Sequence, residues 1–409
     1  MSKKKANKNA NKKWLRFRHR VVRNLACAVI KPYSYVKYGL RVDRFKEQEK
    51  RAYLVLFNHQ TPFDQFFVGM AFKGPIYYLA TEDIFSLGWI SSLLRYLVAP
   101  IPIKKQTTDV RAILNCIKVA KEGGTIALAP EGNRTYSGRT EYINPSIVPL
   151  AKKLGLPIAL YRLEGGYGVE PRWSDVVRKG RIHGYVSKVI SPEDYANMTD
   201  DELYGAICEG LYVDEARADG EFRHKRLAEY LERAIYVCPD CGLSSFESHR
   251  DLIECKKCGK KVRYLATKEL CGEGFDFRFK FVGDWYDYQS EFINSLDVSE
   301  YTDEPLYAEE VMLSEVIPYK KKNKIAKGAS IALYGDRIEI CYDDERLNCD
   351  FDGVTAAAVL GRNKLNVYYD GRIYQIKGSK RFNALKYVQI YHRYKNVKKG
   401  DPNVKFLGL

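Results

Sequence analysis

The chain has 409 residues, 45% apolar and 29% charged, a balance that excludes a disordered polyelectrolyte and points to two to three folded domains. A formal net charge of +16, crowded between Lys3 and Arg23, implies an anionic partner, either a lipid surface or nucleic acid. No run of about 18 consecutive apolar residues exists, and Leu25 to Ile30 is too short for a secretory signal, so neither a conventional spanning helix nor export is expected.

In chain order, residues 1–13 (MSKKKANKNANKK) are apolar-poor and read as a disordered basic tail. Residues 14–40 change character. Trp14, Phe17, Val21, Val22, Leu25 and Ala28 recur at helical spacing with Arg16, Arg18, Arg20 and Arg23 between them, which reads as an amphipathic helix lying in a membrane interface. Residues 41–236 then alternate strand-like and helix-like stretches. Tyr53 to Phe57, Thr125 to Ala129 and Pro157 to Tyr161 read as short buried strands. Thr108 to Lys121 and Val148 to Leu154 read as helices, stopped by Gly123-Gly124 and by Gly155. That rhythm predicts an α/β fold, a central β-sheet flanked by helices, and residues 193–236 read as helical.

Two constellations in this stretch carry chemistry. Asn58-His59-Gln60-Thr61-Pro62-Phe63-Asp64 directly follows the first buried strand, where open α/β sheets place reactive groups. A histidine can take a proton near neutral pH, and a carboxylate five residues on can fold back to its other ring nitrogen. With no serine or cysteine nucleophile beside it, such a pair suits activation of a hydroxyl on the substrate. Pro130-Glu131-Gly132-Asn133-Arg134-Thr135 follows the second strand; its arginine offers a fork of donors matching a phosphate, and Glu131 can orient that arginine or accept from a glycerol hydroxyl.

In this order and about 70 residues apart, the two blocks resemble those of the lysophospholipid acyltransferase family, the 1-acyl-sn-glycerol-3-phosphate acyltransferases among them. NHQTPFD matches that family's NHxxxxD block and PEGNRT its PEGTRS block. Ala99 to Lys104 lies where the family has a block ending in arginine, and Gly155 to Leu160 matches a fourth, apolar block. The likeness spans roughly residues 35–200. It implies that His59 acts as general base with Asp64 as its partner, and that Lys104, Glu131, Gly132, Asn133 and Arg134 hold the substrate. It further implies an acyl-CoA or acyl-carrier-protein donor and the free hydroxyl of 1-acyl-sn-glycerol-3-phosphate as acceptor. Asn133 and Thr135 depart mildly from the family's Thr and Ser. Lys104 in place of arginine loses the bidentate geometry and keeps a different lysophospholipid or glycolipid acceptor open, as does a non-catalytic lipid- or protein-binding adaptor.

Further on, Cys238-Pro239-Asp240-Cys241-Gly242 and Cys255-Lys256-Lys257-Cys258-Gly259 set four thiolates in two CxxC turns, and residues 237–265 resemble a zinc ribbon. Four cysteine ligands make a closed, structural Zn2+ site. Glu247, Asp251 and Glu254 interrupt any basic stripe there, which counts against nucleic acid and leaves protein contact or domain scaffolding as the ribbon's role, while an anionic membrane stays the partner expected of the basic chain. The other six cysteines read as reduced thiols in cores.

Residues 266–319 read as a connecting segment, with Trp285, Tyr286 and Tyr288 on a packed helix. Residues 320–409 read as a β-rich module: Asp370-Gly371 between apolar runs signals a hairpin, and a helix from Asn383 to Lys395 closes the unit. Strands closed by one helix resemble a pleckstrin-homology or GRAM-like module, with Lys320, Lys321, Lys322, Lys324 and Lys327 available to a membrane. The expected location is the cytoplasmic face of a membrane.

Overall fold

The computed structural model describes residues 13–86, 88–103, 109–317, 322–400 and 405–408. The basic tail of residues 1–12, Lys104, Lys320 and Lys321 lie outside the described residues.

Short runs of apolar residues pair side by side because each can bury both of its faces. The strands β1 (Leu40–Val42), β2 (Leu54–Phe57), β3 (Ile76–Thr81), β4 (Ile101–Ile103), β5 (Thr125–Leu128), β6 (Ile158–Glu164) and β7 (Ile182–Ile190) form one sheet in the order β1-β7-β6-β2-β5-β3-β4. Strands β6, β2, β5, β3 and β4 run parallel, and β7 pairs antiparallel with β6. Successive side chains alternate across the sheet. Leu54, Leu56, Ile126, Ile158 and Leu160 pack on one side with α4 (Val110–Lys121), α5 (Ile147–Leu154) and α8 (Asp200–Leu211). Val55, Phe57, Ala127, Ala159 and Tyr161 pack on the other, against α1 (Phe17–Tyr38) and α2 (Asp64–Ala71). Both faces are covered, as a parallel sheet requires. Helix α3 (Trp89–Leu97) lies beside α1, and α6 (Gly166–Val169) and α7 (Pro192–Ala196) are single turns.

Helix α1 is amphipathic with its apolar side turned outward. Phe17, Leu25 and Val29 are 79%, 65% and 71% exposed. Its inward face adds polar contacts to the packing of Tyr38: buried His19 sits 3.0 Å from the Tyr77 hydroxyl through Nδ1, and Arg23 donates to the carbonyls of Gly69 and Phe72.

The helical reading of residues 193–236 holds only as far as Leu211. From Tyr212 the chain runs irregularly to a 3-10 turn at Leu231–Arg233. Leu227, Leu231 and Ile235 are buried as that reading wanted, yet they anchor a winding segment, since the stretch between Asp214 and His224 is rich in charge and broken by Gly220.

Residues 237–272 form two small antiparallel sheets, β8 (Val237–Cys238) with β9 (Gly242–Leu243), and β10 (Phe246–His249), β11 (Leu252–Cys255), β12 (Lys261–Tyr264) and β13 (Leu270–Gly272) in sequence order. Helix α9 (Val282–Ser295) inserts Trp285, whose Nε1 donates to the Val237 carbonyl at 2.8 Å. The C-terminal sheet has seven strands: β14 (Tyr307–Glu315), β15 (Asn323–Leu333), β16 (Arg337–Tyr342), β17 (Glu345–Asp350), β18 (Val354–Leu360), β19 (Lys364–Tyr369) and β20 (Arg372–Lys377). Their order is β17-β16-β15-β14-β20-β19-β18, every pair antiparallel, and α10 (Leu385–Lys398) packs against the sheet. Asp370 and Gly371 both take positive φ, 47° and 68°, the turn a two-residue hairpin needs.

The expected boundaries at 265 and 320 shift. β13 extends the ribbon's sheet past 265, and β14 takes Tyr307–Glu315 from the supposed connector into the C-terminal sheet. Packing also crosses the boundary at 236. Tyr136 and Trp173 of the first domain share one core with residues of the ribbon, α9 and the C-terminal sheet. Of the six cysteines outside the CxxC turns, Cys116 and Cys349 are buried, whereas Cys271 is exposed on β13.

Candidate active site

Strand β2 ends at Phe57, and the next residue locks its position. Buried Asn58 donates from Nδ2 to the Leu163 carbonyl at 2.8 Å and accepts from the Leu163 amide at 2.7 Å, extending the β2–β6 pairing with a side chain. His59 follows at the carboxyl end of the sheet.

Asp64 opens α2 and is fully buried. Its carboxylate accepts from the backbone amides of Gln60 (2.6 Å) and Thr61 (2.9 Å) and from the Thr61 hydroxyl (2.6 Å). The remaining contact is with His59 Nδ1 at 2.8 Å. A carboxylate only accepts, so the ring carries its proton on Nδ1 and turns the Nε2 lone pair away from Asp64. The His59 side chain is 25% exposed, so the ring reaches solvent while its orienting partner does not.

The second block is joined to the first through Glu131. One carboxylate oxygen accepts from the His59 amide and the other from the Glu141 amide, both at 2.8 Å, and the Thr135 amide donates to the His59 carbonyl at 3.3 Å. Glu131 is buried, and burial pushes its carboxyl well above the usual range against the pull of those two amides. Each Glu131 oxygen thus accepts from a backbone amide, so that the residue staples the two loops together. Gly132 turns the loop at φ 72°, a conformation that L side chains rarely adopt, with open space where a Cβ would stand.

Arg134 projects from this loop with Nη1 buried and without a hydrogen-bond partner. Burial first, then the charge of Arg172, pushes its guanidinium down to about 10. A buried donor fork with an unused N–H fits an incoming oxyanion. Asn133 Oδ1 lies 3.5 Å from Arg172 Nη2, and Arg172 Nη1 donates to the Arg134 carbonyl at 2.7 Å.

His59, Asp64, Glu131, Gly132, Asn133 and Arg134 are therefore assembled at one end of the sheet. Sequence reasoning missed Arg172, which clamps the Arg134 loop from 38 residues away, and Glu170, which accepts from the Tyr38 hydroxyl at 2.9 Å. Their one local signal was a charged pair flanking Pro171 beside a tryptophan.

The four CxxC cysteines form a second centre. The Sγ atoms of Cys238, Cys241, Cys255 and Cys258 all lie within 4.8 Å of one another, and Cys238 and Cys258 are 3.8 Å apart. A tetrahedron of about 2.3 Å metal–sulfur bonds has edges of about 3.8 Å, so this donor set could hold a metal ion. Gly242 and Gly259 follow the turns at φ 70° and 75°.

Residues 41–159 match the family model described as Acyltransferase. The chain is 25% identical over 163 residues to a chloroplastic 1-acyl-sn-glycerol-3-phosphate acyltransferase, BAT2, of Brassica napus, covering 38% of this chain and 45% of that protein. It is 24% identical over 136 residues to a 1-acyl-sn-glycerol-3-phosphate acyltransferase of Bacillus subtilis (strain 168), covering 33% of this chain and 65% of that one. The chain thus spans less than two thirds of the length of either relative. Among solved structures, the 1-acyl-sn-glycerophosphate (LPA) acyltransferase PlsC of Thermotoga maritima aligns over 48% of this chain and 80% of that one, at 20% identity and a TM-score of 0.40. The N-terminal PH domain of human ARAP2 aligns over 22% of this chain and 81% of that one, at 14% identity and a TM-score of 0.18.

Proposed function

We propose that this chain, which carries an acyltransferase-family domain over residues 41–159, moves a fatty acyl group from an acyl thioester to the free hydroxyl of 1-acyl-sn-glycerol-3-phosphate. The observation that carries the reading is the juxtaposition of a solvent-reaching, Asp64-oriented histidine with the Arg134 loop, tied through Glu131. His59 Nε2 takes the proton of the acceptor hydroxyl as its oxygen attacks the thioester carbonyl. The C–S bond breaks when the tetrahedral intermediate collapses, and the imidazolium returns its proton to the departing thiolate. Asp64 stabilises the charged ring between the two steps, and Arg134 holds the acceptor's phosphate. An acceptor panel with mass detection, using either acyl-CoA or acyl-carrier protein, tests the assignment. Product only from a lysophospholipid other than lysophosphatidate, or from a glycolipid, would move the acceptor; no product with any acceptor would favour an adaptor.

The substrates are lipids, and the surface supports delivery from an anionic membrane. The exposed ridge of α1 meets a second one on α3, where Trp89, Leu93 and Tyr96 are exposed. Arg18 joins the two helices, its guanidinium 3.9 Å from the Tyr96 ring centroid and its Nε donating to the Tyr96 carbonyl. Aromatic contacts run from Tyr33 on α1 to Phe63 and on to Phe66, so apolar surface continues to the loop that carries His59. Exposed apolar residues interleaved with arginine suit the membrane interface. Among the described residues no helix is long and apolar enough to cross a membrane. For the CxxC centre, an all-thiolate set favours zinc, held by Cys238, Cys241, Cys255 and Cys258 as a closed structural site.

A further inference from the structure

We propose that Arg362, on the turn between β18 and β19, is an acceptor-recognition residue, so that the anion site is built jointly by the acyltransferase domain and the C-terminal sheet. The inference rests on the function proposed above.

The two modules meet beside the Arg134 loop. Arg172 donates from Nη1 to the Arg134 carbonyl at 2.7 Å and from Nη2 to the Val359 carbonyl at 3.3 Å, bridging the PEGNRT loop and β18 with one buried side chain. Three residues past Val359, Arg362 donates from Nη2 to Glu170 at 2.6 Å, and its Nε stands 3.6 Å from an Asp175 oxygen, beyond hydrogen-bond reach. Glu170 also takes the Tyr38 hydroxyl, and Asp175 is paired with buried Arg233 at 2.7 Å. Four guanidinium groups, of Arg134, Arg172, Arg233 and Arg362, thus gather at this seam, with Glu170 and Asp175 between them, Asp64 acting on Arg134 and Glu141 on Arg172. Guanidinium forks gathered in one place match the several acceptor oxygens of a phosphomonoester.

Two buried guanidinium nitrogens here have no hydrogen-bond partner, Arg134 Nη1 and Arg362 Nε, one from each module. The charge of Arg362 reaches Arg134, adding to the downward push of burial and Arg172 that Glu170 opposes. The Arg362 side chain keeps about a third of its surface exposed, so it can turn from Glu170 toward a ligand, whereas Arg172 cannot. A fork from the C-terminal sheet also supplies the bidentate geometry that Lys104, standing where the resembled family has arginine, lacks.

Steady-state kinetics with lysophosphatidate on the full-length protein test this with R362A, R362K and E170Q. Arg362→Ala is expected to raise KM about 10- to 100-fold while kcat stays within a few-fold, as loss of a charge-assisted contact predicts. R362K should recover part of that loss, and E170Q, which frees Arg362 for the ligand, should lower KM. If R362A and E170Q instead lose kcat together at unchanged KM, Arg362 only braces the domains and the inference is overturned. Should R362A fail to fold, R362K decides alone: a severalfold higher KM supports the assignment and an unchanged KM overturns it. A wild-type protein that acylates no lysophosphatidate refutes the proposed function instead. Calorimetry with inorganic phosphate then decides Arg362 by itself, weaker binding by R362A supporting it and equal binding overturning it.

Discussion

Glu131 shows how far a residue's type can be read without its surroundings. The motif marked it as part of the site, and it is central there, yet its partners are the amides of His59 and Glu141. Nothing in the local sequence announces a contact that spans 72 residues in one direction. His59 and Asp64 were legible because both members of their bond lie in one heptapeptide, and a helix N-terminus at Asp64 supplies the turn that closes it. Arg172 was illegible for the opposite reason, since its acceptors are backbone carbonyls on segments far along the chain. The staple role makes a prediction. Glu131→Gln keeps one acceptor but turns an amide N–H2 toward a backbone N–H, leaving a buried donor unpaired at a cost of about 1–3 kcal/mol. Thermal melting should drop by several degrees, and kcat should fall at least tenfold as the His59 loop loosens. Unchanged melting with normal kcat would remove Glu131 from the site's architecture.

Elements were read more securely where apolar periodicity coincided with a stop signal. Helix α5 ends at Gly155 in the left-handed conformation, and α4 begins with the Asp109 side chain accepting from the Arg111 and Ala112 amides. The stretch beyond Leu211 has helical apolar spacing because Leu227 and Leu231 are buried in the shared core, although the chain there is irregular. Helix α1 was read as amphipathic, and the fold adds which face packs: the apolar ridge is left outside while His19 and Arg23 face the protein. The double variant Leu25→Glu/Val29→Glu is therefore expected to keep the melting temperature within about 1 °C, because both side chains are exposed. Binding to sedimented anionic vesicles should weaken by about tenfold or more, since two apolar groups are lost and two negative charges face the lipid. Equal sedimentation of variant and wild type would remove α1 from the membrane contact.

At the scale of the molecule, three modules were legible as compositional shifts, and the way they combine was not. Cysteine spacing announces a ribbon and the Asp370-Gly371 hairpin announces a sheet, because both are local. The core shared by Trp173, Ile253, Trp285 and Ile331 is assembled from residues scattered over more than 150 positions, and no periodicity encodes it. That common core predicts cooperative loss. Removing the proposed metal with a strong chelator should melt the ribbon and the C-terminal sheet together, visible in calorimetry as one transition moving to lower temperature. Two separate transitions, with only a small one sensitive to chelation, would show that the ribbon is an independent bead.

The shared account stands on the His59 ring, oriented by buried Asp64 and open on its other nitrogen. The most direct measurement is the rate of acyl transfer to lysophosphatidate by purified wild type and His59→Ala at equal lipid and thioester concentrations. The expected result is a fall in kcat of about 10²- to 10⁴-fold with the melting temperature preserved. A His59→Ala protein that transfers at a near-normal rate would contradict the account.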